Sequence, residues 1–388
     1  MKKYLIYSVL FFWIITCQAT EYGNISVVRE NGLYFATNVR INNVLVKGRF
    51  LIDSGSVSLL SSDIAQETGI KRKKTVTITD GYGTKESFFG KGDIEIDGIT
   101  FSNVLFHIAD SVDIGLGMFC SVAGIIGNNI LNDKAWLFTD KDVRIISDVN
   151  QYLSSNRFSS AKLIMQGKRN TVPYVVVSFG KPRATTLIDT GDNGLLQITK
   201  NVLPYIPDSE IREGRGNAFT TLLGHQSLAN DPTSSVIRTD KMIIAGMSLF
   251  APVAHIEEDK DGWSVGTKLF DFFNVLFDFP RKKIYIREAD EKPVYENIRT
   301  HGFSLMIKKD SVLVGFVWNG TSAWNKGIAP GDIILGINSL SLSGIEDMPS
   351  CEVWQLINKE MGKENISLVA RNRMGKIKTF SFTREDLF

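Results

Sequence analysis

The stretch Leu51-Ile52-Asp53-Ser54-Gly55-Ser56 decides the fold, because a close copy of it stands at Leu187-Ile188-Asp189-Thr190-Gly191. Each copy places two apolar residues before an aspartate, followed by a small hydroxyl residue and a glycine. The apolar pair is typical of a buried strand end, and the glycine permits a sharp turn. A single Asp-Ser-Gly is ordinary turn chemistry. Two copies predict two carboxylates that are held on rigid loops and face each other.

The sequence around the two copies is also duplicated. Gly127, in the string AGIIGNN, follows the first aspartate by 74 residues, and Gly266, in SVGTK, follows the second by 77. Residues 94–110 align without gaps to residues 242–258. This period is much longer than the period of solenoid repeats. We therefore interpret the two copies as two related lobes.

With these paired motifs, the chain resembles the aspartic proteases, both retropepsin-like and pepsin-like, over about residues 25–290. The resemblance implies a mainly β, two-lobed acid-protease β-barrel fold with tandem retropepsin-like lobes. It also implies an endopeptidase in which Asp53 and Asp189 share one proton, so that one carboxyl activates water and the other polarises the peptide carbonyl. The residues that it assigns to loop support are Ser54, Gly55, Ser56, Thr190 and Gly191.

One position departs from the family pattern. The third residue after the first aspartate is Ser56, which fits the family, but the third residue after the second is Asp192. An acid beside the pair would raise its apparent pKa unless it turned outward to solvent. The alternative is an aspartate that caps the turn at Asn193-Gly194. The sequence leaves both possibilities open.

Tyr82, Gly83 and Thr84 lie at the tip of a predicted hairpin between TVTIT and ESFFG. The string resembles the flap of pepsin-like enzymes, whose tyrosine closes over substrate, and it implies that these three residues bind substrate. The alternative is a glycine-rich hairpin with no such role. The corresponding part of the second lobe, near residues 220–224, has no tyrosine.

Residues 1–19 are predicted to be a signal peptide, because two lysines precede an apolar run and Ala19 offers a cleavage site. We therefore expect an exported protein that is periplasmic or secreted. The alternatives are an uncleaved membrane anchor and a lipoprotein modified at Cys17, and we expect membrane contact only if Cys17 is lipidated. Without residues 1–19 the basic and acidic residues are equal in number, which gives no reason to expect nucleic-acid binding. We expect no cofactor and no metal, and we expect Cys120 and Cys351 to be buried thiols.

Residues 296–388 have a different character. The string Gly327-Ile328-Ala329-Pro330-Gly331-Asp332 resembles the Gly-Ile-x-Pro-Gly-Asp motif of bacterial PDZ domains. The resemblance implies an α+β module that binds the C-terminus of a peptide as an added strand, with a carboxylate-binding loop formed by Gly302, Phe303, Ser304 and Leu305. Such a module could tether substrate, anchor a partner, or inhibit the enzyme by binding the chain's own end, Asp386-Leu387-Phe388.

The sequence therefore predicts a signal peptide, two protease lobes and a PDZ domain, at residues 1–19, 20–150, 160–290 and 296–388. The function it favours is cleavage of peptide or protein substrates by an aspartic endopeptidase. The alternatives are an inactive scaffold that binds peptides and a hydrolase that acts on a non-protein substrate.

Overall fold

A computed structural model describes residues 22–80, 83–109, 119–167, 171–206, 210–216, 233–257, 262–291, 298–308, 311–345 and 347–388. The described residues are mainly in β-strands. Within these ranges no helix is long and apolar enough to cross a membrane. The predicted signal peptide, including Cys17, and the flap residue Tyr82 lie outside the described residues.

In its described residues, the first repeat contains thirteen strands and three short helices. The strands are β1 (Tyr22–Ile25), β2 (Val27–Glu30), β3 (Leu33–Ala36), β4 (Val39–Ile41), β5 (Val44–Leu45), β6 (Arg49–Asp53), β7 (Leu59–Ser61), β8 (Thr75–Asp80), β9 (Gly83–Ile96), β10 (Ile99–Ala109), β11 (Val122–Gly127), β12 (Ala135–Phe138) and β13 (Val143–Ile146). The helices are α1 (Ser62–Glu67), α2 (Asn128–Leu131) and α3 (Val149–Ser154).

The second repeat is built in the same way and contains two described 3₁₀ helices, Lys200–Tyr205 and Thr267–Asp271. Its strands are β14 (Ser159–Lys162), β15 (Ile164–Gln166), β16 (Val172–Phe179), β17 (Arg183–Ile188), β18 (Leu196–Thr199), β19 (Glu210–Gly216), β20 (Thr233–Arg238), β21 (Lys241–Ile244), β22 (Met247–Phe250), β23 (Val253–Glu257), β24 (Trp263–Val265), β25 (Phe273–Asp278) and β26 (Lys283–Glu288).

The C-terminal segment follows, with helices α4 (Ser322–Asn325) and α5 (Ser350–Met361). Its strands are β27 (Arg299–Thr300), β28 (Phe303–Lys308), β29 (Ser311–Trp318), β30 (Ile333–Ile337), β31 (Leu340–Ser341), β32 (Asn365–Arg371), β33 (Ile377–Thr383) and β34 (Glu385–Asp386). A separate hydrophobic cluster, which includes Val312, Val314, Ile337 and Leu368, forms its core.

The same pairing order occurs in both repeats. In the first repeat, β6 leads to Asp53 and lies parallel to β11, β11 lies antiparallel to β7, and β7 lies parallel to β10. In the second repeat, β17 leads to Asp189 and lies parallel to β24, β24 lies antiparallel to β18, and β18 lies parallel to β23. The duplication seen in the sequence is therefore a duplication of topology, and it places the two Asp-containing loops in equivalent positions.

The predicted turns of the first repeat have the backbone that their residues favour. Asn31 and Gly32 join β2 to β3 with φ angles of 50° and 85°, and Asn42 and Asn43 join β4 to β5 with φ angles of 48° and 67°. Positive φ at both central residues defines the type I′ hairpin turn, which asparagine and glycine tolerate best. These two turns deliver the chain to β6 and Asp53.

One six-stranded sheet contains strands from both repeats, in the order β1-β13-β12-β25-β26-β14. Its central pair joins β12 to β25 in antiparallel register, from Ala135 opposite Asp278 to Phe138 opposite Val275. Phe138 also stacks on Phe270 at a centroid distance of 5.0 Å. This shared sheet and the aromatic contacts beneath it hold the two repeats together.

The C-terminal segment is attached to the second repeat by backbone pairing. The end of β29 pairs with β19, with Trp318 opposite Gly214 and Phe316 opposite Gly216. Leu387 packs in a cluster with Val236 and Val253, and its carbonyl accepts a hydrogen bond from Arg212 Nε at 2.7 Å. The chain's own end is thus buried on the second repeat, and the alternative of an end bound along β28 is wrong.

Cys120 and Cys351 form a disulfide, which corrects the expectation of two separate buried thiols. That expectation treated residues 231 positions apart, in different predicted domains, as remote from each other. In the folded chain the loop before β11 packs against the beginning of α5, and Gln355 Nε2 lies 3.7 Å from Cys120 Sγ. Contact between the C-terminal segment and the first repeat therefore brings the two sulfurs together.

Candidate active site

The two predicted aspartates lie at the ends of equivalent strands. Asp53 is the last residue of β6, and Asp189 directly follows β17. The apolar residues before each aspartate are buried in the core, with Ile52 at 0% and Ile188 at 2% exposure. Their burial fixes the strand ends, so the side chain that follows has little freedom of position. Asp53 itself is only 7% exposed.

Ser54 and Thr190 brace the two loops against each other. Thr190 Oγ1 accepts the Ser54 N–H at 2.9 Å and donates to the Ile52 carbonyl at 2.8 Å. Ser54 Oγ accepts the Thr190 N–H at 3.0 Å and donates to the Ile188 carbonyl at 2.7 Å. Both side chains are almost fully buried. Four hydrogen bonds in a dry interior hold the loops in one relative position.

Gly55 and Gly191 are required by the approach of the opposite carboxyl group. A Cβ atom on Gly55 would lie 2.8 Å from Asp189 Cγ, and a Cβ on Gly191 would lie 2.5 Å from Asp53 Cγ. The glycine amides also orient the aspartate of their own loop, since Gly55 N donates to Asp53 Oδ1 at 2.8 Å and Gly191 N donates to Asp189 Oδ1 at 2.9 Å. Ser56 N adds a second donor to Asp53 at 3.1 Å.

The two downstream glycines of the duplicated motif let the loops approach neighbouring backbone. A Cβ on Gly127 would lie 2.3 Å from the Ser58 nitrogen, and a Cβ on Gly266 would lie 2.6 Å from the Asp192 carbonyl oxygen. The residue after each glycine then donates its N–H to the loop: Asn128 to the Ser56 carbonyl at 2.8 Å, and Thr267 to the Asp192 carbonyl at 2.7 Å. These contacts explain why the motif ends in glycine in both repeats.

Each of the two carboxyl groups affects the ionisation of the other. Burial is the main cause that raises the pKa of Asp53 above its ordinary value, while hydrogen bonds from Asp189 and from the amides of Gly55 and Ser56 oppose this shift. Burial, followed by the charge of Asp53, raises the pKa of Asp189 well above its ordinary value. Two adjacent buried carboxyls cannot both ionise cheaply, so the pair retains a proton when isolated carboxyls have lost theirs.

Asp192 combines the two possibilities that the sequence left open. Its carboxylate accepts the Gly194 N–H at 2.7 Å, so it caps the predicted turn. It is nevertheless half-buried beside the pair, and burial, together with the charge of Asp189, raises the pKa of Asp192 to about 6. The negative charge of Asp192 in turn contributes to the raised pKa of Asp53.

The structure describes only part of the predicted flap. β8 and β9 form an antiparallel hairpin in which Gly83 pairs with Asp80 and Thr84 with Thr79. Tyr82 lies outside the described residues, so its predicted role stays a prediction. The counterpart near residues 220–224 lies outside them as well.

A cavity of about 630 Å³ borders the loop that follows Asp53. It extends from the first repeat to the hairpin that opens the second. Its lining combines apolar residues, which include Val57, Phe89, Phe101 and Val172, with polar residues, which include His107, Asn128 and Asn129.

Sequence reasoning missed the residues that support the Asp53 loop from behind. Ser58 Oγ accepts the Gly127 N–H at 3.0 Å, and Asn129 Oδ1 accepts the Ser58 N–H at 2.8 Å. Asn129 Nδ2 then donates to the Leu105 carbonyl at 3.0 Å. Two asparagines directly after an apolar run ending in Gly127 were the available signal, because buried polar side chains need fixed partners.

The predicted peptide-binding residues of the C-terminal segment lie on β28 and the loop before it. Gly302 has a φ of 87°, and Thr321 leaves no room for a Cβ there. Phe303 and Leu305 point into the core of the segment. Among the described strands β28 pairs only with β29.

Among the described ranges, no group of three or more His, Cys, Asp or Glu side chains is arranged to hold a metal ion.

No protein-family model matches this chain, and neither does any curated protein. Among solved structures, the aspartic proteinase from Irpex lacteus is similar over 69% of this chain and 98% of its own, at 12% identity and a TM-score of 0.47. We base the interpretation of the site on its own geometry.

Proposed function

We propose that this protein is an aspartic endopeptidase that uses Asp53 and Asp189 as its catalytic pair. The observation that carries the proposal is the reciprocal bracing of the two loops, in which Ser54 and Thr190 each donate to and accept from the opposite strand end. This arrangement holds two buried carboxyl groups in contact around one proton. A turn cap or a surface ion pair would need none of these features.

The pair provides both an acid and a base. The ionised carboxyl accepts a proton from water as the water oxygen bonds to the peptide carbonyl carbon, and the protonated carboxyl donates its proton to the carbonyl oxygen. The tetrahedral intermediate then collapses. Its C–N bond breaks as the nitrogen takes up the proton of one carboxyl and a hydroxyl of the intermediate returns a proton to the other, so one shared proton again remains on the two carboxyls.

The cavity beside Gly55 suggests where a substrate side chain is held. Val57, Phe89 and Phe101 give it apolar walls. Burial of an apolar side chain there would position the adjacent peptide bond at the pair. We propose peptide or protein substrates with an apolar residue next to the cleaved bond. Closure of the predicted flap by Tyr82, next to Gly83 and Thr84, belongs to the same proposal.

We further propose that the C-terminal segment is a PDZ-type module that binds free peptide C-termini. The pairing of β28 with β29 alone among the described strands supports this, because an added strand needs unpaired backbone groups. The loop formed by Gly302, Phe303, Ser304 and Leu305 would receive the terminal carboxylate. A substrate held in this way gains effective concentration at the active site without a change in the catalytic pair.

Export through a signal peptide at residues 1–19, with or without lipid attachment at Cys17, remains part of the proposal. The Cys120–Cys351 disulfide supports it, because disulfides persist mainly in oxidising compartments.

The test is peptide cleavage by the chain from residue 20 onward, which keeps every described residue. Asp53→Asn and Asp189→Asn should each abolish cleavage, the double variant should be no worse than either single, and a pepstatin-type inhibitor should block the parent. Asp63→Asn, which neutralises an exposed carboxyl on α1, is the matched control and should keep full activity. Substantial activity in either single variant would contradict the assignment of Asp53 and Asp189 as the catalytic pair. A parent that binds peptides without cleaving them would identify an inactive scaffold instead.

A further inference from the structure

The two catalytic loops have the same hydrogen bonds but differ in one charge. The third residue after the aspartate is the neutral Ser56 in the first repeat and Asp192 in the second. In the first loop the Ser56 carbonyl accepts the N–H of Asn128, which follows Gly127. In the second loop the Asp192 carbonyl accepts the N–H of Thr267, which follows Gly266. The positions are therefore equivalent, and the second repeat has a third carboxyl at this point.

Asp192 cannot move away from the pair without breaking several contacts. Its carbonyl accepts hydrogen bonds from both Thr267 N–H at 2.7 Å and Thr267 Oγ1 at 3.0 Å, and its own N–H donates to the Asp189 carbonyl at 3.2 Å. Its carboxylate accepts the Gly194 N–H at 2.7 Å. Backbone and side chain are both fixed, so the carboxyl stays beside Asp189 in either charge state.

The charged group that acts on Asp192 is Asp189, and Asp53 is within reach of its field. The 3₁₀ helix that packs on the loop contributes Lys268 and Asp271. The Lys268 side chain is exposed, and Asp271 is paired with Arg29 at 2.6 Å. No cation of the described residues forms an ion pair with Asp192 within 4 Å. Among the described residues, the hydrogen-bond donors to these three carboxyl groups are backbone amides: those of Gly55 and Ser56 for Asp53, that of Gly191 for Asp189 and that of Gly194 for Asp192.

We propose that Asp192 is a positioning residue for the shared proton: its negative charge keeps that proton on the Asp53–Asp189 pair to higher pH. This inference rests on the proposed function. Like charges close together in a poorly solvated site each disfavour ionisation of the others. Once Asp192 has ionised, removal of the last proton from the pair would place three adjacent negative charges in the site. The active form, with one proton on the pair, therefore persists toward neutral pH.

The pH profile of cleavage tests the proposal. Asp192→Asn keeps an oxygen that can accept the Gly194 N–H and removes only the charge, and Asp192→Ser reproduces the first repeat. In both variants the alkaline limb of kcat/KM should move to lower pH by about one unit, the size of shift that one neighbouring charge produces. The acid limb should move little, because Asp192 is protonated there. Asp63→Asn should change neither limb. A uniform loss of rate with both limbs unmoved would overturn the proposal.

Unfolding measurements give a second test that does not depend on turnover. The pKa of Asp192 is raised to about 6, so the folded chain retains a proton that the unfolded chain releases near pH 4. The parent should therefore lose stability relative to Asp192→Asn as the pH rises between about 4 and 6, and the difference in melting temperature should stay constant above that range. An unchanging difference would overturn the proposal. An inactive parent with the expected melting curves would reject the proposed function and leave the role of Asp192 on the pair intact.

Discussion

Cys120 and Cys351 link the first helical turn of α5 to the strand that carries Asp53. The carbonyl of Cys120 accepts Arg49 Nε at 2.9 Å, and the carbonyl of Ser121 accepts Arg49 N–H at 2.9 Å. Arg49 is the first residue of β6, and Asp53 is the last. The disulfide therefore connects the C-terminal segment to one end of the strand whose other end carries the candidate catalytic residue.

Reduction of this disulfide should destabilise the protein. Cys351→Ser should cost about 2–4 kcal/mol, because a cross-link over a long loop restricts the unfolded chain most. The measurement is the melting temperature of the parent with and without reductant, beside the single and double serine variants. Reduced parent, single variant and double variant should melt alike. Detection of two free thiols, at Cys120 and Cys351, in the native parent protein without reductant would contradict the disulfide.

Thr190→Val should damage the loop bracing while preserving shape. It removes the acceptor of the Ser54 N–H and the donor to the Ile52 carbonyl, and leaves both groups buried. The expected loss is about 2–4 kcal/mol, with cleavage reduced strongly. Thr186→Val is the matched control, since this buried threonine lies on β17, which leads into the same loop, and donates locally to the Ala184 carbonyl. Equal losses in the two variants would show that the bracing has no special role.

The Asp189→Asn variant should be more stable than the parent protein at neutral pH, and the difference in stability should increase as the pH rises. The raised pKa of Asp189 means that the folded chain holds a proton which the unfolded chain loses above about pH 4, so the parent loses stability toward neutral pH. Asparagine has no proton to lose, and the difference in melting temperature should grow from pH 4 to pH 7.

Asp278→Asn is the control for this prediction. Asp278 is buried and is paired with Arg281 at 3.0 Å, so its replacement should destabilise the protein at neutral pH. The opposite signs of the two variants are the expected result. A loss of stability in both would contradict the assignment of Asp189 to a shared-proton pair.

The sequence predicted the features that depend on local chemistry repeated twice. Asp53 and Asp189 could be located because each follows a buried apolar pair and precedes a glycine. The turns at Asn31-Gly32 and Asn42-Asn43 followed from the preference of these residues for positive φ. Even the bracing role of Ser54 and Thr190 was available from the resemblance to aspartic proteases.

The features that the sequence could not provide depend on contacts between distant segments. Cys120 and Cys351 carry no local signal that they meet, and the pairing of Gly216 with Phe316 joins two strands that are each plausible alone. The sequence likewise gave no indication that Leu387 packs on the second repeat. Apolar chain ends fit many surfaces, and only the tertiary structure selects Val236 and Val253.

Tethering by the C-terminal segment should show in the substrate rather than in a truncated enzyme. Removal of residues 296–388 would break the β19–β29 pairing and the disulfide, and so would disturb the second repeat itself. A better test compares one protein substrate with a free and with an amidated C-terminus. The free form should be cleaved several-fold faster at low concentration, and short internal peptides should show no such difference. Equal rates for both forms would eliminate tethering.

Leu387→Ala should destabilise the second repeat by about 2–4 kcal/mol, because Leu387 is 5% exposed and packs on Val236 and Val253. Met374→Ala, at a side chain that is 87% exposed, is the control and should change stability by less than about 0.5 kcal/mol. The measurement is thermal unfolding. A similar melting temperature for the two variants would show that the end of the chain is dispensable.

The burial of Leu387 on the second repeat also sets the order in which the protein can be completed. Arg212, Val236 and Val253 receive partners from Leu387 and Phe388, which are synthesised long after them. The second repeat therefore cannot reach its finished structure before Leu387 has been synthesised, and until then Val236 and Val253 keep apolar surface exposed.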